Sequence, residues 1–337
     1  MKRDKLSPVS SAGPKQTLPT VIRYIGRQSS DSGSCSWSSS ESSHGWALGW
    51  RNVHVRKLRN IAVPIIAGAC AIAAVSVLIG IVVAIAFRGL PAIRWSFFAE
   101  QIKLVGAEGG IFFNLIGTLV LITTAILIAV PLATGLALLH GVYLQNPKWK
   151  RRLTLVLYVL NGVPSILFGI FGLIVFGKLF GWGKSWLACG ILLGVMILQT
   201  VAVALIERIA SLPSRYVEAA AGVGLNQSQI IWSVILPQCS GGLLTGSLLG
   251  LARAAGETAP IMFTATVFAG ATLPRGIKEN PVLSLPYHIF ILAQDSFDQN
   301  VAAKLWGSAL VLVSLVLLLS LVALPSRLRV HEEAHHG

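Results

Sequence analysis

The sequence predicts an all-α, polytopic membrane protein with six spanning helices. Three observations lead there. Hydrophobic residues make up 54% of the 337-residue chain and charged residues only 12%, against about 25% charged in an ordinary soluble domain. The apolar residues are gathered in long blocks, as lipid-spanning helices require. The basic residues, which give a formal net charge of +14, lie mostly before residue 60 or beside those blocks.

A spanning helix needs about 20 largely apolar residues. Six segments reach or approach that length: Ile61–Phe87, Ile111–Leu139, Leu153–Phe180, Leu187–Ile206, Gly241–Phe268 and Leu305–Leu324. The third and fifth are interrupted by Gly, Pro and polar residues. A membrane bundle tolerates this where neighbouring helices re-satisfy the backbone. Loop charge sets the orientation. Lys148, Lys150, Arg151 and Arg152 follow span two, Arg208 and Arg215 follow span four, and Arg327 and Arg329 follow span six. With the basic N-terminus, they place both termini and the loop between spans four and five in the cytoplasm. The domain reading is a membrane domain over 61–325 between two cytoplasmic tails, 1–60 and 326–337. Residues 1–60 are polar, basic and Ser-rich, as in Ser36–Ser43, and are expected to be disordered. They carry no early apolar run of the kind a secretory signal needs.

Composition also excludes several function classes. The flanking positions of the Lys and Arg residues fit membrane topology better than a nucleic-acid face, so no nucleic-acid partner is expected. Cys35, Cys70, Cys189 and Cys239 form no CxxC pair, which argues against a zinc site or a disulfide framework. No His or Cys cluster with metal spacing and no Ser/His/Asp arrangement supports an embedded enzyme. His288, beside Tyr287 in the last outer loop, is read as structural.

The loop after span four is the most patterned stretch of the chain. Pro213 suits a helix start. Glu218 falls in the early turns of a short helix, where the macrodipole favours an anion. Ala219, Ala220 and Ala221 form helix without bulk, so a partner can approach. Gly222 and Gly224 can end the helix and turn the chain. An amphipathic stretch, Gln227–Leu236, follows, and Pro237 is expected to punctuate the start of span five. Glu218, Ala219, Ala220, Gly224, Leu236 and Pro237 stand in the register of the EAA loop of binding-protein-dependent ABC importer permeases, which this segment resembles. Val234 stands where that motif has Ile, and Val217 where Arg commonly precedes the Glu. The resemblance implies a type I importer permease fold, with residues 213–238 seated in a groove of an ATPase subunit. The stretch Gly181–Ser185 is not a phosphate-binding loop, because Lys178 occupies the position of the first required Gly. ATP and Mg would therefore be used by a separate subunit, and no cofactor is expected on this chain.

Within span five, Arg253 and Glu257 are the ionisable residues deepest in an apolar segment. Charge there is costly, and it faces a partner or a water-filled pathway. Four residues apart, the two can share one helix face and pair. A guanidinium offers a fork of donors suited to the oxygens of phosphate. Thr258 adds a hydroxyl. A structural ion pair that fixes helix packing is the competing reading. Asn161 and Ser165 are further pathway candidates, because Gly162 and Pro164 open the backbone beside them. Asn114, Thr118 and Gln199 read as interhelical hydrogen-bond formers.

The run Arg253-Ala-Ala-Gly256-Glu257-Thr258-Ala-Pro260 is similar to the Arg-Ala-x-Gly-Glu-Thr-Ala-Pro signature of PstA-type phosphate permeases. Asn161–Gly169, Leu285–Ile289 and Gly109–Ile111 resemble further segments of that family, over about residues 105–325. The resemblance implies ATP-driven import of inorganic phosphate. It also implies two ATPase subunits, a second permease subunit and an extracytoplasmic phosphate-binding protein as partners, with membrane lipid around the helices. A permease for another oxyanion (phosphonate, sulfate or molybdate) is the close alternative. An ion-driven secondary transporter is the more distant one, since the two halves show no repeat.

Overall fold

The computed structural model of the protein describes residues 45–103, 108–267, 276, 278, 280–294 and 298–335. These residues are nearly all helical. Apart from connecting loops, the exception among them is a two-residue antiparallel pairing of β1 (Ile102–Lys103), which follows the short helix α2 (Trp95–Ala99), with β2 (Glu108–Gly109). The chain divides into two compact units, Met1–Ala74 and Val75–Gly337. The described part of the first unit is the leading portion of helix α1 (Gly45–Gly89). Residues 45–60, expected to belong to a disordered tail, are thus helical. The Ser-rich composition ends before them, and Trp, Leu and Val recur up to the apolar span. A helix already nucleated propagates at little cost. Residues 1–44 lie outside the described residues.

Among the described residues, five helical stretches are long and apolar enough to cross a membrane: Val63–Ala92, Phe112–Tyr143, Trp186–Ala210, Gln227–Gly256 and Val301–Leu321. The expected third span is a bent pair, α4 (Pro147–Gly162) followed by α5 (Ser165–Leu179, its last turns π-helical), with 89° between the axes. Counting that pair as one span gives six. The bend follows from Pro164. It has no N–H to donate, and it forces the preceding Val163 into extended backbone at φ −73°, ψ 126°.

The core lies where α3 (Phe112–Leu138) packs against α6 (Trp186–Ala210). Ala125, Ala129, Ala133 and Ala137 repeat every four residues along α3 and are fully buried. Gly190 and Gly194 of α6 face the same helix: a Cβ on Gly190 would strike Thr124, and one on Gly194 would lie 3.0 Å from the Ala125 carbonyl oxygen. Small residues on both sides let the backbones approach, which is how membrane helices gain dispersion energy without a hydrophobic drive between them.

A polar latch secures the opposite end of α3. The Thr118 hydroxyl donates to the Asn114 carbonyl (2.8 Å) and accepts from the Leu285 N–H (2.9 Å). Asn114 Nδ2 donates to the Ser284 carbonyl at 3.4 Å. These bonds hold segment 282–285 and the start of helix α11 (Leu285–Gln294) against α3. The reading of Asn114 and Thr118 as interhelical hydrogen-bond formers holds. His288 is buried in α11, and burial pushes its imidazole down to about 4. At Gly117 the strand of chain passes so close that a Cβ would meet the Leu283 carbonyl. Gly117→Ala is therefore expected to destabilise the purified protein by about 1–3 kcal/mol, the cost of overpacking a core site. Thermal unfolding in detergent measures it.

Span five differs most from expectation. Its helix, α9 (Leu236–Gly256), ends twelve residues before the expected Phe268 boundary. It also continues backwards, through a π-helical turn at Ile231–Ile235, into α8 (Gln227–Ile230). Pro237 does not punctuate this helix. In a regular α-helix its ring would clash with the carbonyl four residues earlier, at Ser233. That carbonyl lies within the wider π turn, which makes room for the ring. After Gly256 the chain is extended at Glu257 (φ −77°, ψ 130°) and restarts as α10 (Ala259–Thr264), with Pro260 in the first turn where a missing N–H costs nothing. The last helix, α12 (Gln299–His335), carries span six.

Candidate functional site

Two regions gather the residues singled out in the sequence. The first is the loop between spans four and five. Helix α7 (Ser214–Gly222) follows Pro213, and Gly224 turns the chain with φ +83° and its N–H bonded to the Ala221 carbonyl at 3.0 Å. Asn226 then caps α8. Its side chain accepts from the Gln229 N–H, and the Gln229 side chain accepts from the Asn226 N–H. The inner face of this unit, Val217, Ala220, Ile230, Ile231 and Ile235, packs on Ala137 of α3 and Leu205 of α6.

The outer face is a different set. Glu218, Ala219, Gly224 and Pro237 are exposed, and Val223 and Trp232 present large apolar surfaces at 79% and 71% exposure. The expectation that all of Ala219–Ala221 face a partner needs correction. Ala220 is 7% exposed and serves the chain's own packing, because positions 217 and 220 share one helix face. Leu236 joins the same internal cluster. Val217 sits on that inward face, which accounts for an apolar residue there. Trp232 and Val223 were not singled out from the sequence. An apolar residue standing out of phase with the buried face was the available signal.

The second region lies beside the break in the bent span. Asn161, in the last turn of α4, accepts two hydrogen bonds on Oδ1, from Arg253 Nη1 and from Gln199 Nε2, each 2.8 Å. Gln199 Nε2 also lies 3.0 Å from the Thr200 hydroxyl. Arg253 Nε lies 3.6 Å from Glu257 Oε1. Three helices far apart in sequence thus meet at the Asn161 side-chain oxygen. Arg253 stands in the last turn of α9, where the macrodipole favours a cation. Arg253 and Glu257 pair as expected, but not along a continuous helix: Glu257 lies one residue past the helix end and reaches back. Gln199, read as an interhelical hydrogen-bond former, is one, and it belongs to the cluster. Its 6% exposure was invisible in the sequence.

Arg253 and Asn161 line a cavity of about 670 Å³. Its wall continues along α6 and α9 through Gln199, Thr200, Glu207, Arg208 and Thr245, and Tyr158 closes one side. Arg208 is seated by Gly242, where a Cβ would lie 2.7 Å from the arginine's own Cβ. Its Nε is 3.4 Å from the Gln238 carbonyl. Ser165, at the start of α5, and Thr258, at the start of α10, are partly buried but do not line this cavity.

Fold and site together define a multi-pass α-helical membrane protein with a polar, arginine-bearing cavity between its helices. The chain belongs to the binding-protein-dependent transport system inner membrane components, whose family model matches residues 129–327. It is 34% identical to a probable phosphate transport system permease protein PstA of Methanocaldococcus jannaschii, over 78% of this chain and 92% of that one. It is 27% identical to a probable ABC transporter permease protein of Bacillus subtilis, YqgI, over 76% of this chain and 90% of the relative. Among solved structures it is similar to a chain of the MetNI methionine ABC transporter in an inward-facing conformation. That match has 19% identity and a TM-score of 0.49, over 64% of this chain and 91% of the other.

Proposed function

We propose that this chain is the permease subunit of an ATP-driven importer that carries inorganic phosphate across the cytoplasmic membrane. The observation that carries the reading is the Arg253 guanidinium. It is steadied by Asn161 and Glu257 on a cavity wall, with its Nη2 amino group unpartnered among the described residues. A hydrated oxyanion crossing a low-dielectric region needs replacement donors, and a fixed guanidinium fork provides them. Glu257 keeps the local charge near neutral, so an anion is released rather than trapped. The phosphate-transport names of several relatives support the choice of cargo.

The remainder of the assembly follows from the same reading. One of two ATPase subunits docks on the exposed face of α7 and the Gly224 turn, with Glu218, Ala219, Val223 and Trp232 at the contact. ATP and Mg are used there, and not on this chain. A second permease subunit completes the wall of the cavity, and an extracytoplasmic binding protein delivers the anion. Both termini lie in the cytoplasm, as the loop charges require. Ser165 and Thr258, outside the cavity described above, flank the pathway where the two broken spans reopen.

The complex reconstituted in proteoliposomes tests the reading through ATP-dependent uptake of radiolabelled phosphate, with sulfate, molybdate and phosphonate as competitors. Saturable phosphate uptake that the competitors leave unchanged is expected. Uptake of another oxyanion in its place would transfer the assignment to that anion. Uptake without any ATP-binding subunit would sink the importer reading.

A further inference from the structure

We propose that the Pro147 end of α4 is a binding site for anionic phospholipid, and that lipid held there sets the position of Asn161. Four cations, Lys148, Lys150, Arg151 and Arg152, fall within five positions, with Trp149 among them. The chain has no Asp or Glu between Glu108 and Glu207, so no local counter-charge is available. No carboxylate of the described residues pairs with any of the four. Lys148, Arg151 and Arg152 are exposed.

Their depth in the membrane can be read from the same helix. Just beyond the quartet, α4 turns Leu155, Val156 and Val159 outward, each more than half exposed, and buries Leu157 alone. That surface suits hydrocarbon. The quartet lies about 10 Å earlier along the axis, at the edge of that apolar surface. Trp149 and Tyr143, both more than half exposed, stand at the boundary where amphipathic rings collect. The Arg152 guanidinium lies 4.9 Å from the Trp149 ring centroid, so ring and charge face one locality. A cluster of this size directly beside a span attracts anionic headgroups, and each lipid phosphate offers the oxygens that Lys and Arg donors take.

The consequence reaches the cavity. Between its ends α4 is held by one buried residue, Leu157, and one side-chain contact, Thr154 Oγ1 to His140 Nε2 at 3.2 Å, so its axial position depends also on what holds its two ends. One end is Asn161, acceptor for Arg253 and Gln199. The other is the cationic quartet. Lipid bound at the quartet clamps the helix and keeps Asn161 under Arg253. An acidic face of a partner subunit is the competing occupant.

Fluorescence quenching of Trp149 in the reconstituted complex tests the proposal without reference to the transported cargo. The Trp149 contribution is isolated by subtracting the Trp149→Phe protein. Brominated phosphatidylglycerol is expected to quench it at least about twofold more than brominated phosphatidylcholine at equal mole fraction. Replacing all four cations with Gln should remove that preference. ATP-driven uptake should rise about threefold when a third of a phosphatidylcholine bilayer becomes phosphatidylglycerol, and it should stay flat in the Gln variant. Equal quenching by the two lipids overturns the proposal. So does the absence of quenching by either, which would mean that protein covers the patch. If the fourfold variant fails to assemble, the wild-type quenching comparison still decides.

Discussion

Arg253→Ala is expected to reduce ATP-driven anion uptake by about 100-fold, the scale of losing a charge-assisted contact in a site shielded from water, while the subunits still co-purify. The physical case rests on what Arg253 does for the fold and what it does for the cavity. For the fold it contributes little: its side chain is 35% exposed, and its partner Glu257 reaches it across a helix end. A partly exposed ion pair of that kind, at 3.6 Å, is worth little stability, so assembly should survive. In the cavity the guanidinium is the donor group that Asn161 and Glu257 hold in place. Ala leaves Asn161 to Gln199 alone and removes the positive charge from the wall. Arg253→Lys separates charge from geometry. It keeps the charge and loses the fork, so partial uptake is expected. Uptake at the wild-type rate in Arg253→Ala would remove the residue from the pathway. Loss of co-purification would make it a packing residue instead.

Gly224→Val is expected to weaken recovery of the ATPase subunit and to cut uptake by about tenfold, while the spans remain folded. No heavy atom lies within 4 Å of a Cβ built at Gly224, so crowding is not the cause. The cause is φ +83°, a left-handed conformation that costs a residue with a Cβ about 1–2 kcal/mol and a β-branched one more. The chain relieves that strain by turning differently, which swings α7 away from the α8–α9 helix. That helix is continuous from Gln227 to Gly256, 30 residues, or about 45 Å. It joins the exposed turn at one end to Arg253 at the other. Displacing the turn should therefore separate ATPase docking from events at the cavity. Gly222→Ala is the control, because Gly222 has open space around it and no left-handed angle. Normal ATPase recovery in Gly224→Val would count against the loop as the docking element.

Local features of the chain were legible without coordinates. The spans were visible because each needs a long, largely apolar sequence, and six spans recur once the bent pair is taken as one, although the fifth helix stops at Gly256. The turn at Gly224 was visible because Gly is the residue that tolerates its angle. The pairing of Arg253 with Glu257 was visible because their spacing brings side chains together in a helix, although the helix stops between them. The small-residue stripe of α3 and its Gly partners on α6 were present in the sequence, but nothing in the spacing says which two helices will meet.

Two expectations were overturned, for different reasons. Pro237 looked like a boundary, and the helix runs through it because a π turn within the same helix absorbs the ring. Ala220 looked like part of an exposed Ala face and is buried, because it clusters with Ala137, Leu205 and Ile230 of other helices. Gln199 met its expectation as an interhelical hydrogen-bond former, by donating to Asn161 on α4.

By itself, the sequence determined that this is a polytopic helical membrane protein, where its chain turns, and which loop carries the coupling pattern. These depend on helix length, backbone angle and near-neighbour spacing, all of which are local. Only the tertiary structure decided that Asn161, Gln199 and Arg253 form one cluster on a shared cavity, and which face of the loop remains free for a partner. Hydrogen bonds between side chains 38 and 92 residues apart arise from how the helices pack, and no local period in the chain encodes that.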